Sequence, residues 1–215
     1  MNIDPVLRLH ADWLCDIALI EQRIEKDIAW LLTDDGFKIY NQIFDLFGFG
    51  LRVRSRLLSR IYPFEAFLSA DGKPLIEHEV REVKKVEKER RDGVNVIKAF
   101  PGDIKRRDAF KMRIGMGTVL EQSGDELIEK ASGSALCRMA LWQYVLCQVE
   151  TGKLKPNSVT KRLLDYKDSL KNLTTPQGKQ LLNGKHLQGK LMAKVANMLF
   201  DELVTVRSRT QLTTN

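Results

Sequence analysis

The chain has 215 residues, 43% of them hydrophobic, and a formal net charge of +7. That is enough for one sizeable domain or two small ones built on a core, and it excludes a disordered tail. The charge is uneven: residues 1–50 hold 4 Lys/Arg against 9 Asp/Glu, residues 51–150 hold 19 against 15, and residues 151–215 hold 12 against 4, so an acidic front precedes a basic back. A basic surface attracts polyanions through counterion release and long-range steering, which makes nucleic acid the first partner class to test, against the plainer reading of a solvated basic face.

Three cysteines, Cys15, Cys137 and Cys147, give neither an even disulfide set nor a zinc-ligand spacing. The start "MNIDPVLRLH" lacks the layout of a signal peptide, and the longest apolar stretch, "MALWQYVLCQV" at 139–149, is too short and interrupted to span a bilayer. A cytoplasmic chain with no membrane partner is expected.

From the front, Trp13, Ile17, Ile20, Ile24, Ile28 and Leu31 recur at spacings of three and four, which predicts a helix with one apolar face, ended by Asp34, Asp35 and Gly36. Residues 1–36 are therefore read as a stalk. Its narrow seam suits either packing on the core or pairing with a second copy as a coiled coil, a homodimer contact.

The segment "IYNQIFDLFGFGLRVRSRLLSR" at 39–60 runs from one helical pattern through Gly48-Phe49-Gly50 into another and predicts a helix-hairpin-helix. In that motif a Gly-x-Gly turn lets backbone N–H groups approach a DNA phosphate. Arg52, Arg54, Arg56 and Arg60 follow with no acid between them, so Gly48, Gly50 and these four arginines are the candidate nucleic-acid-binding set. The alternative is a helix corner with a solvated arginine face.

Residues 71–108 are mixed in charge and bounded by turn signals; the alternation in "VNVIKAF" predicts a strand, and the segment reads as a small β-hairpin insertion or a charged loop. His10, His78 and His186 are scattered without a metal-ligand spacing, so no metal is assigned to this chain.

After Phe110 the chain reads "KMRIGMGTVLEQSGDELIEKASGSALCRMALWQYVLCQVE", expected as a Ser-Gly turn followed by a buried helix over 110–150. Ser123 lies between Gln122 and Gly124, so its hydroxyl has little bulk on one side and suits attack on a phosphodiester. The alternative is an ordinary Ser-Gly turn. Residues 151–215 form a basic helical region in which "KLKPNSVTKRLLDYKDSLKNLTTPQGKQLLNGK" predicts short helices broken by Pro156, Pro176 and Gly184. In the final helix, Leu187, Leu191, Val195 and Met198 are most simply core. The expected architecture is mainly α: a stalk at 1–36 and a second domain at 37–215, with the hairpin at 39–68, the insertion at 71–108 and a helical, serine-bearing core.

The order of "IFDLFGFGLRVRSRLLSRI", "AFKMRIGMGTVLEQSGD", Gly133 with Arg138 five residues on, and "NGKHLQGKLMAKVANMLFDELV" resembles the C-terminal part of insertion-sequence transposases of the IS-one-ten type. The resemblance covers roughly Trp13 to Arg209. It implies that Ser123 is the nucleophile joined to DNA during strand exchange, with Gly124 keeping the approach open and Arg138 offsetting charge or bracing the helix. It also implies DNA and a structured guide RNA as partners, met by Lys153, Lys155, Lys161, Arg162, Lys167, Lys171, Lys179, Lys185, Lys190 and Lys194.

Members of that family begin with a RuvC-like domain whose four carboxylates hold divalent metal, and those carboxylates cannot be placed here. Magnesium is expected only with such a domain supplied separately, and this chain alone is not expected to cut DNA. It is read as a truncated product, a C-terminal piece or one half of a split enzyme. The alternative is a non-catalytic helical nucleic-acid-binding or assembly module derived from a transposase.

Overall fold

The computed structural model describes residues 4–70, 76–81, 89–91, 94–96, 102–123, 126–173 and 182–213. The fold is mainly helical. Helix α1 (Pro5–Leu31) starts where Pro5 fixes φ and the Asp4 carboxylate accepts from the Val6 N–H at 2.9 Å, two devices that satisfy or remove an orphan donor of the first turn. Its end is tied to the next helix by Asn41, whose Nδ2 donates to the Leu32 carbonyl at 2.6 Å.

Helix α2 (Lys38–Phe47) buries Tyr40, Ile43, Phe44 and Phe47, a spacing of three and four that turns one face to the core. It stops at Gly48, whose φ of 68° is the left-handed C-cap that glycine adopts without strain. After Phe49 and Gly50, helix α3 (Leu51–Ile61) buries Leu57, Leu58 and Ile61. The expected pair of helices about a Gly-x-Gly turn is therefore present.

The 71–108 insertion is β in its described parts up to Lys105, and its last three residues open a helix. Strands β1 (Ile76–Arg81) and β4 (Gly102–Lys105) pair antiparallel, and β2 (Glu89–Arg91) pairs antiparallel with β3 (Val94–Val96) between them in sequence. Helix α4 (Arg106–Arg113) then leads into a second hairpin, β5 (Gly117–Ser123) and β6 (Glu126–Ser132), paired from Gly117 with Ser132 to Ser123 with Glu126.

Here the structure corrects the sequence reading. The serine does not sit in a helical core; it ends a seven-residue strand. In "GTVLEQS" and "ELIEKAS", threonine, valine, leucine and isoleucine fit a pleated ribbon, and the turn residues Gly124 and Asp125, which lie outside the described residues, fall between two matched runs.

Helix α5 (Ala135–Tyr144), N-capped by Ser134, continues as a π-helical stretch (Val145–Glu150). Helix α6 (Ser158–Lys171) opens with a capping box in which the Asn157 side chain accepts from the Thr160 N–H and the Thr160 hydroxyl accepts from the Asn157 N–H. Helix α7 (Gly184–Thr213) closes the chain. Leu187, Leu191, Val195 and Met198 are all buried, as the spacing predicts.

The core joins α7 to α2, α4, α5 and α6 through aromatic contacts. Phe200 meets Phe64 and Phe110 edge-on at 5.5 and 5.3 Å, while Phe49 stacks on Phe47 and takes the Tyr144 ring edge-on at 4.7 Å. The Tyr144 hydroxyl donates to the Phe47 carbonyl at 2.7 Å, and burial pushes its phenol up from the ordinary tyrosine value. Among the described residues no helix is long and apolar enough to cross a membrane.

Candidate nucleic-acid interface and serine hairpin

The Gly48–Gly50 corner is built from the inside. Phe49 is buried among Phe44, Phe47 and Tyr144, and Arg54 staples the turn: its Nε donates to the Phe49 carbonyl at 2.6 Å and its guanidinium pairs with Asp45 at 2.5 Å. Arg52 reaches back to α1, bonding Glu25 at 2.5 Å with Glu21 at 3.7 Å. The hydrogen bond to Glu25 holds its pKa above the ordinary arginine value. Two of the four candidate arginines are thus engaged in ion pairs within the chain, and the acidic front of the sequence supplies the partners for both.

Gly50 has open space where a Cβ would stand and a φ of −75°, so nothing in its own backbone demands glycine. Arg56 and Arg60 lie further along α3, half-buried and exposed respectively. Neither forms an ion pair among the described residues. The cations of this helix that remain available lie toward its C-terminal end, away from the corner.

The glycines of "GMG" and "SGS" have a different cause. Gly115 (φ 81°) and Gly133 (φ 87°) take left-handed conformations, and a Cβ on either would collide with backbone, 2.1 Å from the Ser134 carbonyl oxygen and 1.7 Å from that of Met112. A Cβ on Gly117 would meet Met112 at 2.4 Å. The end of α4 and the two ends of the hairpin are therefore packed backbone against backbone. Arg138 ties the junction, donating from one guanidinium nitrogen to the Gly115 carbonyl at 3.0 Å and the Ser132 carbonyl at 3.5 Å. Arg138 thus braces the base of the hairpin.

Ser123 lies at the other end of the ribbon. Six residues separate it from Gly117, about 20 Å at the rise of an extended strand. Arg138 at the base does not reach Ser123 at the tip, so the structure does not bring these two candidates together within one chain. Gly124 lies outside the described residues.

In the basic back region Lys153, Lys155, Lys161, Lys171, Lys185 and Lys190 are exposed. Lys167 corrects the expectation of a phosphate contact: it is buried and its Nζ donates to the Val149 carbonyl at 3.0 Å, satisfying an acceptor at the end of the π-helical stretch. Arg162 pairs with Glu202, and Lys194 lies over the Tyr166 ring at 5.1 Å. Lys179 falls outside the described residues. Among the described residues no three His, Cys, Asp or Glu side chains gather as metal ligands.

The sequence reading did not single out Arg113, at the end of α4, which lines the same open cavity as Arg60. No local pattern could have joined them, because they belong to helices separated by the whole β insertion. No protein-family model matches the chain, and no curated protein and no solved structure matches it either.

Proposed function

We propose that this chain is the C-terminal portion of a DNA transposase or recombinase: it binds DNA, with a structured guide RNA as a second nucleic-acid partner, and presents Ser123 as the nucleophile for strand exchange. The observation that carries the proposal is the position of Ser123 at the distal end of a two-stranded ribbon whose base is fixed by Gly115, Gly117, Gly133 and Arg138. A ribbon of about 20 Å sets its tip that far along the strands from the base, and the interlocked base limits the directions the tip can take.

In the reaction, the Ser123 oxygen forms a bond to phosphorus and the phosphorus–oxygen bond to the departing deoxyribose breaks. The serine proton passes to a base, and a proton returns to the leaving oxygen. Arg138, held at the ribbon base, is not the group that offsets the developing charge on the same chain. The groups that move protons and offset charge are assigned to a RuvC-like domain or a second copy of the chain, with any magnesium belonging to that domain.

The test is a covalent adduct. Incubated with nicked or branched DNA, magnesium and a RuvC-like domain supplied in trans, the chain is expected to give a protein–DNA species that survives a denaturing gel. Ser123→Ala should abolish that species while DNA binding and the melting curve stay unchanged. An adduct persisting in Ser123→Ala would overturn the assignment of the nucleophile.

A second reading, a non-catalytic assembly module, is favoured by one observation: α1 has no buried residue along its 27-residue length. On either reading we propose that α1 pairs with a second copy.

A further inference from the structure

The last turn of α3, the end of α4 and the Gly133–Ser134 turn enclose an open cavity of about 510 Å³ lined by Arg60, Ala109, Met112, Arg113, Gly133 and Ser134. Arg60 and Arg113 enter it from different helices, and both are exposed. Each lacks an ion-pair partner among the described residues, unlike Arg52, Arg54, Arg162 and Arg207, all of which meet a carboxylate. No carboxylate is among the described residues lining the cavity. The Ser134 side chain is occupied with the Cys137 N–H at 3.3 Å, leaving the two guanidinium groups as the charged donors of the site.

We propose that this cavity seats one backbone phosphate of DNA, with Arg60 and Arg113 as the donors and Ala109 and Met112 as the apolar wall against which the neighbouring deoxyribose packs. The proposal rests on the nucleic-acid reading above and adds where the strand is held. A guanidinium presents a planar fork of N–H groups that matches phosphate oxygens, and two forks from separate helices bind one tetrahedral anion from two sides. A concavity of this size exceeds what a lone oxyanion fills, since a water molecule occupies only about 30 Å³ of liquid, and it accommodates a phosphate with its sugar.

The position gives the site its meaning. Arg113 lies two residues before Gly115 and Gly133 directly follows β6, so the cavity lies at the base of the ribbon that ends in Ser123. With one phosphate of each strand per about 3.4 Å of duplex axis, a ribbon of about 20 Å spans roughly six base pairs. A duplex seated in the cavity with its axis along the ribbon therefore passes the Ser123 end about six base pairs away. The anchor sets the distance from a fixed contact to the reacting phosphate, as phosphate contacts set register without reading sequence.

The experiment measures affinity for a duplex oligonucleotide of arbitrary sequence by fluorescence anisotropy at several salt concentrations. Wild type, Arg60→Ala/Arg113→Ala and Arg60→Lys/Arg113→Lys are compared, with Arg162→Ala as a control arginine already paired. The double alanine variant is expected to bind at least about tenfold more weakly, with the slope of log K against log salt shallower by about 0.9, the value of one phosphate. The double lysine variant is expected to keep the slope but lose part of the affinity, because it retains charge without the fork. Both variants should melt with wild type, since the altered side chains are exposed.

A double alanine variant with wild-type affinity and slope would overturn the seat while leaving the nucleic-acid reading standing. Loss confined to an RNA oligonucleotide, with DNA binding unchanged, would overturn the assignment to DNA. Wild type that binds no duplex at any salt would overturn the nucleic-acid reading itself, and the seat with it.

Discussion

Helices α1 and α7 are the two longest elements, 27 and 30 residues, and each carries apolar residues at spacings of three and four. Their environments are opposite. On α7, Leu191, Val195 and Leu199 are fully buried, whereas on α1 Trp13, Ile20 and Ile24 are 62%, 54% and 52% exposed. The difference comes from what surrounds each helix. Helix α7 packs against α2, α4, α5 and α6, while α1 touches the body near its end, through half-buried Ile28, buried Leu32 and the Arg52 ion pairs on α3. Residues 4–24 are exposed throughout, about 30 Å of helix at 1.5 Å per residue. Periodicity identifies the apolar face of a helix; the rest of the chain decides what covers it.

The largest test of that contrast is a matched truncation. Leu199→Ala removes a fully buried side chain beside Phe200 and Ala196 and is expected to cost about 2–5 kcal/mol, the range for a leucine cut back in a core. Ile24→Ala removes a comparable volume from an exposed face and is expected to stay within about 0.5 kcal/mol of wild type. Urea unfolding of the two variants checks both. A large loss for Ile24→Ala at low protein concentration would mean that α1 belongs to the folded body after all.

The same contrast explains how much of the molecule could be read from its sequence. Helices α1, α2, α3 and α7 were legible because each carries its own 3.6-residue period, and the Gly48–Gly50 corner because glycine and the change of pattern coincide. The β insertion was legible from the alternation around Val94 and Val96. The hairpin at 117–132 was not: its glycines signal a turn, yet Gly115, Gly117 and Gly133 are there because backbone meets the backbone of Met112 and Ser134, a contact between segments that no local pattern encodes. The candidate site divides in the same way. Ser123 can be found by its motif, but the pairing of Arg52 with Glu25, the bracing by Arg138 and the cavity shared by Arg60 and Arg113 all depend on tertiary neighbours. Charge counting treated every arginine alike, and the fold sorts them into engaged and available.

A smaller effect on stability, but a large one on assembly, is expected from Ile20→Lys combined with Ile24→Lys. Both positions are more than half exposed in the single chain, so the monomer tolerates the ammonium groups. A seam between two copies of α1 would bury them without partners. Light scattering should show self-association in wild type and a monomer in the double variant, with unchanged helix content by circular dichroism. Wild type that is already monomeric at high concentration would leave the α1 face without a second copy to cover it.

The smallest effect is expected at the point where the two kinds of region meet. Arg52 joins α1 to the body through Glu25 and Glu21, and its side chain is 63% exposed against 38% for Glu25. An ion pair this open loses much of its attraction to solvent and pays side-chain entropy to keep its geometry, so the bond at 2.5 Å signals position more than stability. A double-mutant cycle of Arg52→Ala and Glu25→Ala, read by thermal melts, should show a small favourable coupling at low salt that vanishes near 1 M, where the Debye length is about 3 Å. Coupling that persists at high salt would mean that the pair is shielded, with α1 lying closer along α3 than the exposure of its first twenty residues allows. Absent coupling even at low salt would leave Ile28 and Leu32 as the contacts that hold the helix to the body, and α1 would then be positioned mainly by whatever covers its apolar face.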